Sequence, residues 1–205
     1  MNVLSFRPKT RFGCEMYAVS DGAVSVIIDP SVFPGELPED AVDLSTVRGI
    51  LLTHAHFDHM TAMSNWHKET GAAVYIPAED VPKLSDPMGN ASFLTGTPEI
   101  YTVPFCPVSD GDVLSFGTFR IKVVGTPGHT SGSVTYRPAE DMLFVGDLLF
   151  ADGSHGRTDL PTGNEDKIEE SIKKIMAEKD DVRIFPGHGR PTSVGRLRNY
   201  QVKFI

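Results

Sequence analysis

The sequence has little cysteine: Cys14 and Cys106 are the only two in 205 residues. Two thiols make no disulfide framework, so the fold must rest on a packed core, and reduced thiols point to a cytoplasmic protein. Long apolar runs are missing as well, none approaching the roughly 20 residues of a membrane span. The opening MNVLSFRPKTRF has no apolar core and no small-residue cleavage site, so neither a leader nor a membrane anchor is expected. Basic charge is short, with 19 Lys and Arg against 27 Asp and Glu and a formal net charge of −8. That argues against bulk affinity for nucleic acid, which needs a basic face to displace counterions. The expected partner is a small-molecule substrate. Low-complexity tracts and repeats of fixed period are absent too.

What is present is an ordinary globular composition, 40% hydrophobic and 22% charged. Met16 to Ser20 and Ala23 to Asp29 read as strands joined by Asp21-Gly22, a dipeptide suited to a tight hairpin. Val47 to Thr53 and Ala73 to Ile76 read as buried strands. Between them Met60, Met63, Trp66 and His67 recur at helical spacing from Asp58 onward. Residues 77–111 are rich in Pro, Gly, Ser and Asp with little periodicity, and read as a long loop of the kind that forms lids or binding loops. Further strands are expected at Val113 to Phe116, Phe119 to Val124, Ser133 to Arg137, Met142 to Val145 and Val182 to Phe185. A helix should start at the N-cap Asn164, with Ile168, Ile172, Ile175 and Met176 on one stripe. No linker divides the chain, which reads as one α/β domain over residues 1–205.

The strongest chemical signal follows the strand ending at Thr53. His54-Ala55-His56-Phe57-Asp58-His59 places three of the chain's 7 histidines and an aspartate in one turn of sequence. Neutral imidazoles with a carboxylate are the donors that borderline divalent metals prefer. Three more candidates share a local setting. His129 lies in TPGHT, Asp147 in VGD and His188 in PGHG, each directly after a strand and beside a glycine that permits a sharp turn. Side chains at the ends of several strands converge on one rim of a sheet.

These motifs, in this order, resemble the metallo-β-lactamase superfamily, and the resemblance covers nearly the whole chain. It implies a four-layer αβ/βα sandwich, two packed sheets with helices outside and a dinuclear site at one edge. It implies that His54, His56 and His129 hold one metal, that Asp58, His59 and His188 hold the other, and that Asp147 bridges them. Two divalent ions are expected, zinc first, with iron and manganese suited to the same donors. A hydroxide shared by the metals would be the nucleophile, with Asp58 orienting it as the catalytic carboxylate. Asp29 would stand just behind the ligands, although on the sequence alone it reads equally as a turn aspartate before Pro30.

Asp147 stands where one large class of β-lactamases has cysteine, which argues against antibiotic hydrolysis. His56 is not the glutamate of flavodiiron oxygen reductases, and 205 residues leave no room for the inserted domain of the RNA-processing branch. TPGHTSGSV (126–134) and GDLLFADGSHGRTDLP (146–161) are most similar to the glyoxalase II group, which hydrolyses acyl-glutathione thioesters, and to its short bacterial members. Residues 189–205 are too few for that group's helical glutathione-binding domain, so glutathione thioesters are expected to be poor substrates. Gly156 to Asp159 also resembles the persulfide dioxygenases, a mononuclear iron branch; lactonases and phosphodiesterases share the fold. Arg157 and Asp159 read as an ion pair, His155 as a solvated loop residue, and His67 as a surface or half-buried one.

Overall fold

Alternate residues of the strands enter different cores, as a period of two requires when both faces of a sheet are covered. The structure, a computed structural model, describes residues 1–10 and 12–199. In one six-stranded sheet β1 (Asn2–Phe6), β2 (Met16–Ser20), β3 (Ser25–Ile28), β4 (Val47–Leu51), β5 (Ala73–Pro77) and β6 (Phe105–Val108) lie side by side in that order. The second six-stranded sheet runs β7 (Val113–Phe116), β8 (Phe119–Gly125), β9 (Val134–Ala139), β10 (Met142–Gly146), β11 (Arg183–Pro186) and β12 (Thr192–Ser193). Tyr17, Val19, Val26 and Ile28 of the first sheet meet Ile121, Val123, Tyr136 and Phe144 of the second in the central core. Met16, Ala18, Ile27 and Ile50 point the other way, against Met63 and Trp66 of α2 (Met63–Thr70). Leu143, Val145 and Ile184 turn outward against Ile168, Ile172 and Ile175 of α3 (Glu165–Met176) and Leu197 of α4 (Val194–Asn199). The result is the four-layer αβ/βα sandwich.

Local chemistry matches these elements. Asp21 Oδ1 accepts from the N–H groups of Ala23 and Val24, both at 2.9 Å, closing the β2–β3 hairpin. Asn164 caps α3 by accepting from Lys167 N–H at 2.9 Å. The strands β3, β4 and β5 are parallel, so their C-terminal ends share one rim. β10 and β11 are parallel and end on the same side as the site. Two buried tyrosines latch the sheets together there. Tyr136 of β9 donates to Leu52 O at 2.8 Å, and Tyr17 of β2 donates to Pro186 O at 2.7 Å.

Three expectations need correction. Residues 77–111 are not a structureless loop: they hold 3-10 turns at Ala78–Ser85 and Ser92–Thr95, and β6, which pairs with β5. The helix expected from Asp58 is broken. α1 (Phe57–Met60) stops after one turn and α2 begins at Met63, because Ala62 N–H turns aside to donate to Pro30 O at 2.8 Å. β1, β12 and α4 have no counterpart in the sequence reading. Both cysteines are free, Cys14 buried and Cys106 exposed. Among the described residues no helix is long and apolar enough to cross a membrane.

Candidate metal centre

Every candidate donor lies just past the end of a strand on the shared rim. His54, His56 and the α1 pair Asp58 and His59 follow β4; His129 follows β8, Asp147 follows β10, and His188 follows β11. The rim brings all seven side chains together. The donor atoms of His54, His56 and His129 lie within 4.8 Å of one another; so do those of Asp58, His59 and His188, and those of His54, His59 and Asp147. Asp147 sits between the groups. Its Oδ1 is 3.3 Å from His59 Nε2, and its Oδ2 is 3.5 Å from both His129 Nε2 and His188 Nε2.

Buried polar atoms normally find hydrogen-bond partners. Here the Nε2 atoms of His54, His56, His59 and His129 and Oδ1 of Asp147 are buried and have none. The tautomers explain why these lone pairs are available. Thr53 Oγ1 donates to Asp29 Oδ2 at 2.8 Å, so toward His54 Nδ1, at 3.1 Å, it accepts. His129 Nδ1 donates to Arg157 O at 2.7 Å. His59 Nδ1 lies 3.0 Å from Asp29 Oδ2, within ion-pair range but off the line of a hydrogen bond. In His54 and His129 Nδ1 is engaged and Nε2 is left to the cluster, the arrangement that outer partners impose on metal-binding histidines.

Electrostatics fit the same use. Burial, with neighbouring imidazoles adding to it, keeps His54 well below its usual range and takes His56 down to about 3, so both rings are neutral and able to ligate. His188 is the opposite: burial lowers it, but hydrogen bonds to Asp147 and Asp58 outweigh that and raise it to about 9. Burial would raise Asp147, yet His59 and His188 hold it well below the usual carboxylate range. This end of the cluster calls for positive charge. The donor set therefore fits divalent cations.

Asp29 is no mere turn residue. It is buried at φ 52, it accepts from Thr53 N–H at 2.7 Å through Oδ1, and its Oδ2 reaches both Thr53 and His59. Asp80, which the sequence reading passed over, does comparable work on the other side. Fully buried, its Oδ2 accepts from Ala55 N–H at 2.9 Å and Thr130 Oγ1 at 2.8 Å, and its Oδ1 accepts from Gly132 N–H at 2.9 Å and from Lys83 Nζ. One carboxylate thus ties the His54–His56 loop to the His129 loop. An isolated aspartate in PAED carries no local signal of that role. Gly187 permits close approach: a Cβ there would strike Asp147 Oδ1 and His59.

Five of the donors, His56, Asp58, His129, Asp147 and His188, line a cleft of about 370 Å³ walled by Phe12, Phe57, Leu94, Phe150 and Leu160. His155, expected in solvent, is half-buried on this wall, its Nδ1 donating to Gly156 O at 2.9 Å. Arg157 pairs with Asp159 through two bonds of 2.7 and 2.6 Å, as expected, while its main chain holds His129. His67 lies away from the cluster, half-buried, with Nδ1 2.9 Å from Ala72 O.

The family profile described as "Metallo-beta-lactamase superfamily" matches residues 10–188. The Haemophilus influenzae protein named hydroxyacylglutathione hydrolase GloC is 30% identical over 179 residues, 84% of this chain and 83% of that one. Among solved structures, BLEG-1, described as a B3 metallo-beta-lactamase, shares 31% identity at a TM-score of 0.82, with 97% of each chain covered. TTHA1623, solved in a di-iron-bound form, shares 30% identity at a TM-score of 0.80, with 100% of each chain covered.

Proposed function

Because the chain belongs to the metallo-β-lactamase superfamily, we propose that it is a dinuclear metal-dependent hydrolase that cleaves thioesters of the acyl-glutathione type. The observation that carries the reading is the cluster of orphaned buried donors, of which His56, His129 and Asp147 line the cleft. His54, His56 and His129 would hold one divalent ion, Asp58, His59 and His188 the other, and Asp147 both. Zinc is the first candidate; the di-iron form of TTHA1623 makes iron the second. When bound, such ions supply Lewis-acid activation of water and of the thioester carbonyl.

The chain's own residues do the rest. Thr53, Asp29 and the Arg157 carbonyl fix the rings so that no reorganisation is needed at the moment of reaction. Asp58, whose side chain is 15% exposed at the cleft floor, orients the attacking water and takes its proton. The water oxygen bonds to the carbonyl carbon, the C–S bond breaks, and the proton passes to the departing sulfur. The acid and the thiol are the products. The substrate is a small molecule held in the cleft.

The GloC relative favours thioesters, and the likeness to BLEG-1 makes β-lactam hydrolysis the second reading to test. The experiment is an assay of metal-loaded protein on S-lactoylglutathione and simpler thioesters, beside a lactone, a phosphodiester, a carbapenem, and a persulfide with oxygen uptake recorded. Thioester hydrolysis that scales with metal content is expected, modest on S-lactoylglutathione. Turnover of the lactone, phosphodiester or carbapenem alone would overturn the thioester assignment, and persulfide-dependent oxygen uptake would overturn hydrolysis itself.

A further inference from the structure

The cleft walls carry information that the donor cluster does not. Phe12 precedes β2, Phe57 opens α1, Leu94 lies in the 3-10 turn at Ser92–Thr95, and Phe150 and Leu160 follow β10. Side chains from distant parts of the chain thus converge on one cleft. Phe12 and Leu94 are each 44% exposed although large and apolar. Scattered exposed apolar residues need no explanation, but a convergent set above convergent polar groups is how ligand sites are built.

Two polar side chains beyond the donors, His155 and Arg157, line the cleft, and each has a carboxylate beside it. Arg157 is held by both oxygens of Asp159. His155 donates to Gly156 O, and its Nε2 lies 3.5 Å from Glu165. More charge lies in the cavities on either side. One of about 560 Å³ shares Phe12 and Phe57 with the cleft and is lined by Arg7, Lys9, Glu36 and Glu99. The other, about 510 Å³, shares Phe150 and His188 and brings Asp152 and Arg190. A substrate lying across the site meets apolar walls at the reacting carbonyl and charge further out.

We propose that the group bonded to the scissile carbonyl is apolar, an alkyl or aryl acyl chain rather than a short hydroxyacyl one, seated against Phe12, Phe57, Leu94, Phe150 and Leu160. The proposal rests on the thioesterase reading and names the acyl class within it. A hydroxyl on the acyl chain turned toward the five apolar side chains, and so away from Arg157 and His155, would be unpaired there, and an unpaired polar group is penalised. Added methylenes gain wherever they leave water.

The test uses the metal-loaded full chain and thioesters of one thiol, N-acetylcysteamine, bearing acetyl, lactoyl, hexanoyl or benzoyl groups. Hexanoyl and benzoyl should exceed lactoyl by about tenfold or more in kcat/KM, the low end of what one methylene is worth in a closed apolar pocket. Leu94→Asn, at an exposed position, should shrink that ratio severalfold at unchanged metal content; a ratio within one variant is independent of its folded fraction. Calorimetric binding of hexanoate against acetate provides a readout without turnover. Tighter hexanoate binding, weakened by Leu94→Asn, supports the proposal even if no thioester is cleaved, in which case only the thioesterase reading falls. A flat acyl series, a preference for lactoyl, or equal binding of the two acids would overturn it.

Discussion

The two trios of donors are made of different material. His54, His56 and His129 are all buried, and burial keeps His54 and His56 neutral. Neutral oxygens, the Thr53 hydroxyl and the Arg157 carbonyl, orient two of these rings. Asp58, His59 and His188 mix carboxylate with imidazole, and the side chain of His188 is 32% exposed at the cleft mouth. The first trio is closed to solvent throughout; the second includes a carboxylate and opens to the cleft at His188, while its His59 is fully buried. Burial and access thus differ between two halves of one site, with Asp147 spanning the boundary. The two-ion reading expects the first position to be the tighter one and the second the exchangeable one.

The comparison breaks most completely at Asp147. Asp147→Ala removes the group shared by both trios and should lower metal affinity at both positions by more than the roughly 10–100-fold that loss of an outer partner costs. Elemental analysis after dialysis checks this; one position left fully occupied would show that Asp147 serves a single ion.

Asp80 tests the first trio alone. Asp80→Ala leaves Lys83 buried without its partner and should cost about 3–5 kcal/mol in chemical denaturation. It should also weaken the first position about 10–100-fold, because the loops carrying His54, His56 and His129 lose their common tie. Adding Lys83→Met should restore much of the stability and little of the affinity. Recovery of both together would mean that Asp80 matters only as the counter-ion of Lys83.

Single-ligand losses come next. His56→Ala should deplete the first position and His188→Ala the second, which cobalt substitution can distinguish through separate absorption bands. Identical spectra from the two variants would remove the distinction between trios. The smallest effect is expected from Thr53→Val, which deprives Asp29 Oδ2 of a hydrogen bond and His54 Nδ1 of its acceptor. A loss of about 1–3 kcal/mol in stability, with a modest fall in affinity at the first position only, would be read by thermal unfolding and metal titration.

The sequence by itself determined what depends on near neighbours. His54 to His59 fall together because six consecutive residues cannot separate far, and Asn164 caps α3 through a bond spanning three residues. Continuous apolar runs in β2, β3 and β10 revealed strands because both of their faces are buried. Edge and short strands gave no such pattern: β1 has a largely exposed face, and β6 is exposed over Phe105 to Pro107. Only the pairing of β6 with β5 makes it a strand, which is why 77–111 read as a loop. The tertiary structure alone decided the rest. Asp80 is 25 residues from Ala55 and 52 from Gly132, and Tyr136 reaches Leu52 across 84. The cleft wall joins Phe12 to Leu160. Such contacts leave no periodic trace, because what brings the partners together is the closing of two sheets on a common core and not any property of the residues beside them in the chain.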